Sequence, residues 1–143
     1  MIQCKAFLFA EWVSQSSPDM KMTIANTFNS IVGTAVAGEI PKDGVNILAQ
    51  SLYLVYILEA SVADGTEHKG ELRIEHEDGA AVVEPIQIPI RFIINPKGRP
   101  MRYQGIVNMT GLPLHAPADY TVKLLVDGKP LDETNLYVEL RKA

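Results

Sequence analysis

The chain has 143 residues, of which 47% are hydrophobic and 21% charged, and its 13 basic and 17 acidic side chains give a net charge of −4. This length is typical of one domain, and the apolar content favours a packed core over disorder. The acidic balance predicts no general affinity for nucleic acid, because proteins that bind it carry a basic footprint. We therefore expect residues 1–143 to form a single globular domain.

The cellular compartment is indicated by the N-terminal stretch and by cysteine usage. Cys4 is the one cysteine, so no intrachain disulfide can form. Lys5 and Glu11 interrupt the first apolar stretch, which is not the pattern of a signal peptide. No uncharged apolar window reaches the roughly 18 residues of a transmembrane helix. We expect a protein of a reducing, cytoplasmic compartment with no membrane partner.

The first half of the chain predicts β-strands, since short runs alternate apolar and polar residues between turn signals. Strands are expected over residues 5–13 and 20–31, then an irregular connection over 34–46, then an apolar strand over 47–60 that is buried on both faces. Residues 23–38 admit a short helix instead. Tight turns are expected at four Asp-Gly pairs, which are Asp43-Gly44, Asp64-Gly65, Asp78-Gly79 and Asp127-Gly128.

The second half alternates more cleanly. Leu72 and Ile74 are expected to point inward, before a strand over 86–94 in which Pro89 predicts an edge position or a bulge. The apolar face of that strand is Ile86, Ile88, Ile90, Phe92 and Ile94. Further strands are expected over 103–109, 120–126 and 136–140. About eight strands with short spacing predict an all-β fold, a single-domain antiparallel sandwich.

The segment Ala118-Asp-Tyr120-Thr-Val122 resembles the tyrosine corner of immunoglobulin-type sandwiches. In that family the tyrosine hydroxyl bonds to the backbone just upstream and fixes the crossing between the sheets. Val122 stands where antibody domains have a disulfide cysteine, and Trp12 does not occupy the position of their central tryptophan. The resemblance implies an immunoglobulin-like or related Greek-key topology.

Most of the chain also resembles a family of bacterial β-sandwich domains with no assigned function. The matching segments are residues 7–11, 22–31 and 52–58, the Asp78-Gly79 hairpin, and residues 120–138. This resemblance implies a fold and no activity, and no functional residue is transferred from it.

Catalytic, metal and cofactor sites are not expected. The histidines His68, His76 and His115 share no local spacing that would bring them together around zinc. The acidic residues between 64 and 78 lack EF-hand spacing, and they alternate with Arg73 as on a solvated strand face. Cys4 lies on an apolar run, which indicates a packed thiol. Nucleophile-elbow, phosphate-loop and dinucleotide motifs do not occur.

One cluster is the first candidate for a binding site. It is basic, could grip a phosphate or an acidic partner surface, and consists of Arg91, Lys97, Arg99, Arg102 and Tyr103. A simple soluble turn is the alternative interpretation of this cluster.

The function expected from these features is a non-enzymatic interaction or structural module, whose partner is another protein or a second copy of itself. A carbohydrate- or small-ligand-binding module is the first alternative, with Trp12, Tyr103 or Tyr137 as stacking platforms. An enzyme whose site is assembled from distant loops is the second.

Overall fold

The computed structural model describes residues 1–16, 21–35, 44–48 and 51–142. Within these ranges the protein is all-β, as predicted, and it has eleven strands and one short 3₁₀ turn, Val62–Asp64. The strands are β1 (Gln3–Gln15), β2 (Met22–Phe28), β3 (Ser30–Ala35), β4 (Val45–Leu48), β5 (Tyr53–Ala60), β6 (Glu67–His76), β7 (Ile86–Arg91), β8 (Met101–Asn108), β9 (Pro113–Ala116), β10 (Ala118–Val126) and β11 (Lys129–Lys142).

The strands form two main sheets and one small one. The first sheet has the order β2-β1-β5-β8, the second has the order β3-β11-β10-β6-β7, and β4 pairs with β9. Neighbouring strands run antiparallel except β3, which runs parallel to β11. The predicted antiparallel architecture therefore includes one parallel pair among the described strands.

One hydrophobic cluster joins the two main sheets. Tyr56 and Leu58 of β5 belong to it, together with Val122 and Leu124 of β10. Alternate residues of each strand face this cluster, because successive side chains of a strand point to opposite sides. The inward face predicted for β10 is confirmed, and it consists of Tyr120, Val122, Leu124 and Val126. The two sheets thus pack face to face.

The strand predicted over residues 20–31 is in fact two strands in different sheets. β2 pairs with β1 up to Phe28, whereas β3 begins at Ser30 and lies beside β11. The crossing is fixed at Asn29, whose carbonyl accepts a hydrogen bond from the Tyr137 N–H at 2.7 Å. The short helix considered for residues 23–38 is wrong up to Ala35, and residues 36–38 lie outside the described residues.

The boundaries predicted over residues 34–60 also change. β4 occupies the end of the expected irregular connection, and the expected strand over 47–60 is divided. Ser51 has a φ of 50°, which is incompatible with an extended strand. The remaining strand, β5, lies between β1 and β8 and is central, as predicted. Asp43, of the first Asp-Gly pair, lies outside the described residues.

β7 is an edge strand of the second sheet, as Pro89 predicts. Ile88, Ile90 and Phe92 are buried on the expected face. Ile94 was expected on the same face but is 57% exposed, because β7 ends at Arg91 and the alternation no longer applies beyond it.

Candidate functional site

The predicted basic cluster lies on the connection between β7 and β8, which leads from the second sheet to the first. We call residues 91–102 the crossover segment. Phe92 at its start and Met101 near its end are buried, whereas most residues between them are exposed. The crossover segment is therefore an exposed ridge that is anchored in the core at both ends.

Local hydrogen bonds shape this ridge. The Phe92 N–H donates to the Thr66 carbonyl at 2.8 Å, which ties the start of the segment to the residue before β6. Further along, the Gly98 N–H donates to the Asn95 carbonyl at 3.2 Å, and the Asn95 side chain accepts the Lys97 N–H at 3.2 Å. Gly98 has a φ of 70°, a conformation that glycine adopts without strain. The turn at 95–98 thus points its side chains away from the core.

The structure places four of the five predicted residues on this surface. Arg91, Lys97, Arg99 and Arg102 are exposed on the crossover segment. The contact of Arg91 with Glu67, at 3.8 Å, joins two strongly exposed side chains, and such surface pairs add little stability.

Tyr103, the fifth predicted residue, is partly buried against other aromatic rings. Its ring lies 6.0 Å from the ring of Tyr56 and 6.3 Å from that of Phe92, and its hydroxyl donates to the Pro89 carbonyl at 3.2 Å. Tyr103 therefore closes the gap between β7 and β8 from within. It is not available to the surface as a flat stacking platform.

The crossover segment also exposes two adjacent isoleucines, of which Ile94 was expected to point inward. Ile93 is 79% exposed and Ile94 is 57% exposed. Residues 91–102 contain four cationic side chains and no carboxylate, on a chain whose net charge is −4. The only sequence signal for this exposure is Pro96, which follows shortly and ends the strand pattern. The segment combines apolar surface with a local excess of positive charge.

Three depressions in the described structure adjoin the crossover segment, and the one beside Arg91 also contains His68 and Asp127. A groove of about 690 Å³ lies beside Ile93 and Arg102, and its apolar wall is formed by Met22, Ile24 and Ile57. The β1–β2 hairpin reaches the same region, where the Gln15 side chain donates to the Gln104 side chain at 2.9 Å.

The second depression adjoins the turn of the ridge. This cleft, of about 270 Å³, is lined by Arg99 and Pro100 together with Glu59 of β5. Of these two depressions, the groove beside Ile93 is mainly apolar, and the cleft beside Arg99 has both polar and apolar walls.

Outside this segment, His68 and Asp127 form the shortest ion pair among the described residues, and their geometry does not suit catalysis. The His68 Nδ1 lies 2.6 Å from an Asp127 carboxylate oxygen. The other ring nitrogen, Nε2, lies 3.0 Å from the Gly65 carbonyl. Since both nitrogens are occupied by protein groups, neither is open to a substrate proton.

The other two histidines meet although their sequence spacing gave no sign of it. The His76 and His115 rings are 6.4 Å apart, and the His76 ring lies 5.3 Å from that of Tyr120. Pairing of β10 with β6 places Tyr120 opposite His76, which explains the contact. Across the described ranges, no three His, Cys, Asp or Glu side chains converge as metal ligands.

The tyrosine-corner hydrogen bond expected from the resemblance is present. The Tyr120 hydroxyl accepts the His115 N–H at 2.6 Å, five residues upstream. The same hydroxyl lies 3.4 Å from the His115 carbonyl. Tyr120 thus joins the end of β9 to the start of β10.

The acidic residues of β6 lie on the outer face of the second sheet, where they form ion pairs with basic side chains. Glu71 contacts Arg73 at 3.0 Å, and Glu75 contacts Lys123 of β10 at 2.9 Å. The hydrogen bond from Lys123 to Glu75 raises the pKa of the lysine. These carboxylates are used in ion pairs along and across strands, as on a solvated sheet face.

Trp12 and Tyr137, the remaining candidates for a stacking platform, are both exposed, and they lie on different sheets. Trp12 belongs to β1 of the first sheet and Tyr137 to β11 of the second.

Cys4 is a partly buried thiol. Its Sγ donates to the Ala6 carbonyl at 3.3 Å. Burial is the main cause that raises the pKa of Cys4 to about 12, with further contributions from Asp132. The reactive thiolate is therefore almost absent at neutral pH.

We expect Cys4 of the folded protein to react with iodoacetamide at pH 8 on the order of 100-fold or more slowly than Cys4 of the unfolded chain. The reason is that thiolate, and not thiol, attacks the reagent. The measurement is the alkylation rate by mass spectrometry with and without guanidinium chloride. Equal rates in the two conditions would contradict the raised pKa.

Comparison with known proteins identifies a family. No curated protein is significantly similar to the chain. Among solved structures, the Pseudomonas fluorescens alkylpurine DNA glycosylase AlkC bound to DNA containing an abasic site analog is similar at a TM-score of 0.41 and 12% identity. The similarity covers 96% of this chain and 30% of the glycosylase chain, so this chain spans less than a third of that protein's length.

Within the described ranges, no helix is long and apolar enough to cross a membrane. A family of unknown function, DUF6941, matches residues 5–139, which is nearly the whole chain. The chain therefore belongs to the DUF6941 family.

Proposed function

We propose that the protein acts by binding another protein, without catalysis, and that the crossover segment is its binding surface. The partner we propose is an extended protein segment that carries both acidic and apolar side chains. The observation that carries this proposal is the exposure of Ile93 and Ile94 within a segment of four cations and no carboxylate.

The apolar part of the surface favours a protein partner. Exposed apolar side chains are common singly, but adjacent ones beside an apolar groove are typical of interaction sites. Burying one isoleucine side chain stabilises a complex by roughly 1.5–3 kcal/mol. Met22, Ile24 and Ile57 extend the same apolar surface into the groove next to Ile93.

The charge of the surface favours acidic side chains on the partner. Arg99 and Lys97 are exposed on the turn of the crossover segment, where they can make charge-assisted hydrogen bonds to carboxylates. The chain as a whole is acidic, with a net charge of −4. A partner segment that is both acidic and apolar complements the ridge better than it complements the rest of the molecule.

An extended conformation of the partner is favoured by the strand that follows the ridge. In the described structure β8 pairs on one side only, with β5, so it is an edge strand of the first sheet. Edge strands can accept an extended peptide as an additional strand, with alternate side chains entering neighbouring pockets. The groove beside Ile93 lies where such alternate side chains would enter.

The binding test uses the ¹⁵N-labelled protein and three synthetic peptides of equal length. One alternates leucine and glutamate, the second alternates leucine and lysine, and the third alternates serine and glutamate. We expect only the leucine–glutamate peptide to shift the amide signals of residues 91–102 at low concentration, and added salt to weaken it.

Matched variants separate this surface from the general charge of the protein. Arg99→Glu and Ile93→Ser should each weaken binding of the leucine–glutamate peptide about 10-fold, equivalent to about 1.4 kcal/mol. Arg141→Glu makes the same charge change at the end of β11 and should leave binding nearly unchanged.

Three outcomes would contradict the proposal. One is that no peptide shifts residues 91–102. Another is that a short DNA duplex shifts these amides more strongly than the leucine–glutamate peptide, which would identify a polyanion site. The third is self-association in light scattering that Ile93→Ser abolishes, which would identify a second copy as the occupant.

We also infer that the fold is of immunoglobulin type. The order β11-β10-β6-β7 in the second sheet corresponds to the order G-F-C-C′ of a variable-type domain. Tyr120 then lies at the start of the strand equivalent to F, where that family has its tyrosine corner. An experimental structure in which β10 and β6 are not neighbours would exclude this assignment.

A further inference from the structure

His68 connects three separate segments of the fold. It lies near the start of β6, and its side chain is only 8% exposed. Its Nδ1 contacts Asp127, in the turn between β10 and β11, at 2.6 Å. Its Nε2 contacts the carbonyl of Gly65, which follows the 3₁₀ turn, at 3.0 Å.

The partners of the ring determine its protonation state. A carbonyl oxygen and an ionised carboxylate oxygen only accept hydrogen bonds, so each ring nitrogen must donate. Neutral histidine carries one N–H, whereas the imidazolium ion carries two. Both contacts are therefore satisfied together only when His68 is charged.

Asp127 is held in place for this contact. Asp127 and Gly128 have φ values of 53° and 79°, as the two central residues of a tight hairpin turn require. The second carboxylate oxygen of Asp127 accepts the Lys69 N–H at 3.0 Å. The carboxylate thus joins the turn to both the side chain and the backbone of β6.

We propose that His68 is a protonation-dependent clasp, which as an imidazolium holds the 3₁₀ turn, the start of β6 and the β10–β11 turn together, and which opens when the ring loses its second proton. Loss of that proton leaves a ring nitrogen without hydrogen facing either the Gly65 carbonyl or the Asp127 carboxylate. Two acceptors then oppose each other, and one of the two contacts must break.

The clasp also adjoins the binding ridge. The His68 ring meets the Phe92 ring edge-on at 5.8 Å, and Phe92 is the buried anchor at the start of the crossover segment. Opening of the clasp is therefore expected to loosen this anchor. The clasp itself follows from its own contacts and does not depend on the proposed partner.

The surroundings of the ring favour the charged form. The hydrogen bond to Asp127 is the main cause that raises the pKa of His68 above its ordinary value, against the opposing effect of burial. Asp127 and Asp64 are the charged groups that act on the ring directly. Glu67, Lys69 and Arg91 line the same depression as His68, and Lys129 acts on the Asp127 carboxylate.

The sign of the pH effect follows from the direction of this shift. A histidine whose pKa is higher in the folded than in the unfolded protein stabilises the fold fully below the unfolded pKa of about 6.5. This stabilisation is lost as the pH rises through the raised pKa of the folded protein. The clasp is thus closed in mildly acidic solution and opens toward alkaline pH.

The test combines an NMR titration of the histidine rings with hydrogen exchange at Lys69. We expect His68 to titrate above the ordinary histidine value. Corrected for the intrinsic exchange rate, protection of the Lys69 amide should fall on the order of 10-fold across that titration. His68→Gln should remove this pH dependence, and His115→Gln, the matched control, should retain it.

A second variant keeps the test decisive if His68→Gln folds poorly. Asp127→Asn removes the anionic partner with little change in shape, so the His68 pKa should fall in this variant. A His68 ring that titrates at or below the ordinary value in the unaltered protein would overturn the clasp. Lys69 protection that does not change with pH would overturn it as well.

Discussion

Replacing Gly105 by alanine is expected to destabilise the protein by about 3 kcal/mol, the upper end of what overpacking of a core costs. Gly105 is buried in β8 directly opposite Tyr56 in β5. A methyl group on Gly105 would overlap the Tyr56 ring at Cζ, Cε2 and the hydroxyl. The ring cannot easily retreat, because it is buried and packs against the Tyr103 ring at 6.0 Å. Urea unfolding followed by circular dichroism measures the loss.

Gly33→Ala is the matched control for this prediction. Gly33 also lies in a strand, but a methyl group there would meet its nearest atoms at 3.5–3.7 Å, which are ordinary contacts. Its effect should stay within about 0.5 kcal/mol. Replacing the Tyr56 ring by the smaller leucine side chain, as Tyr56→Leu, should make Gly105→Ala less destabilising in the double variant. Equal losses for the two glycine variants would show that the Tyr56 ring has room to move.

The close packing of Gly105 under Tyr56 could not be predicted from the sequence. Alternation of apolar and polar residues locates β5 and β8 separately, and both were expected. It does not state which residue of one strand lies opposite which residue of the other, since that depends on register. The requirement for glycine exists only in the pair Tyr56–Gly105.

The change of sheet between β2 and β3 was missed for a related reason. Asn29 and Ser30 are residues that favour turns, but apolar residues lie on both sides of them, and residues 20–31 were interpreted as a single strand. What separates the two strands is the parallel pairing of β3 with β11, more than a hundred residues away in sequence. Local patterns carry no information about such long-range partners.

The charge of the candidate site could be predicted from the sequence, but its shape could not. The four cationic residues of the crossover segment can be read directly from the sequence, and all four lie on its surface. Ile94 continues the inward alternation of Ile90 and Phe92 and is exposed because β7 ends at Arg91, whereas Ile93 lies on the outward side of that alternation. His68 and Asp127 are 59 residues apart, and only the pairing of β6 with β10 brings them together.

Replacing Tyr120 by phenylalanine is expected to destabilise the protein by about 2 kcal/mol, since the change removes one hydroxyl from the core and leaves its partner unpaired. The ring is only 3% exposed, so the residue's packing would persist in the variant. The part-buried His115 N–H would lose the acceptor that it now has at 2.6 Å. An unpaired buried N–H costs more than the hydrogen bond itself contributes, because water satisfies that group in the unfolded chain.

Tyr137→Phe removes the same atom from a partly exposed ring on β11, and it should change stability by less than about 0.5 kcal/mol. The informative comparison is therefore between two hydroxyl deletions that differ in burial and in hydrogen-bond partner. Hydrogen exchange should also quicken at the His115 amide in Tyr120→Phe and remain unchanged there in Tyr137→Phe. If both variants lose equally little stability, water or a neighbouring group replaces the Tyr120 hydroxyl as the acceptor for the His115 N–H. In that case the connection between β9 and β10 is held by packing of the Tyr120 ring alone.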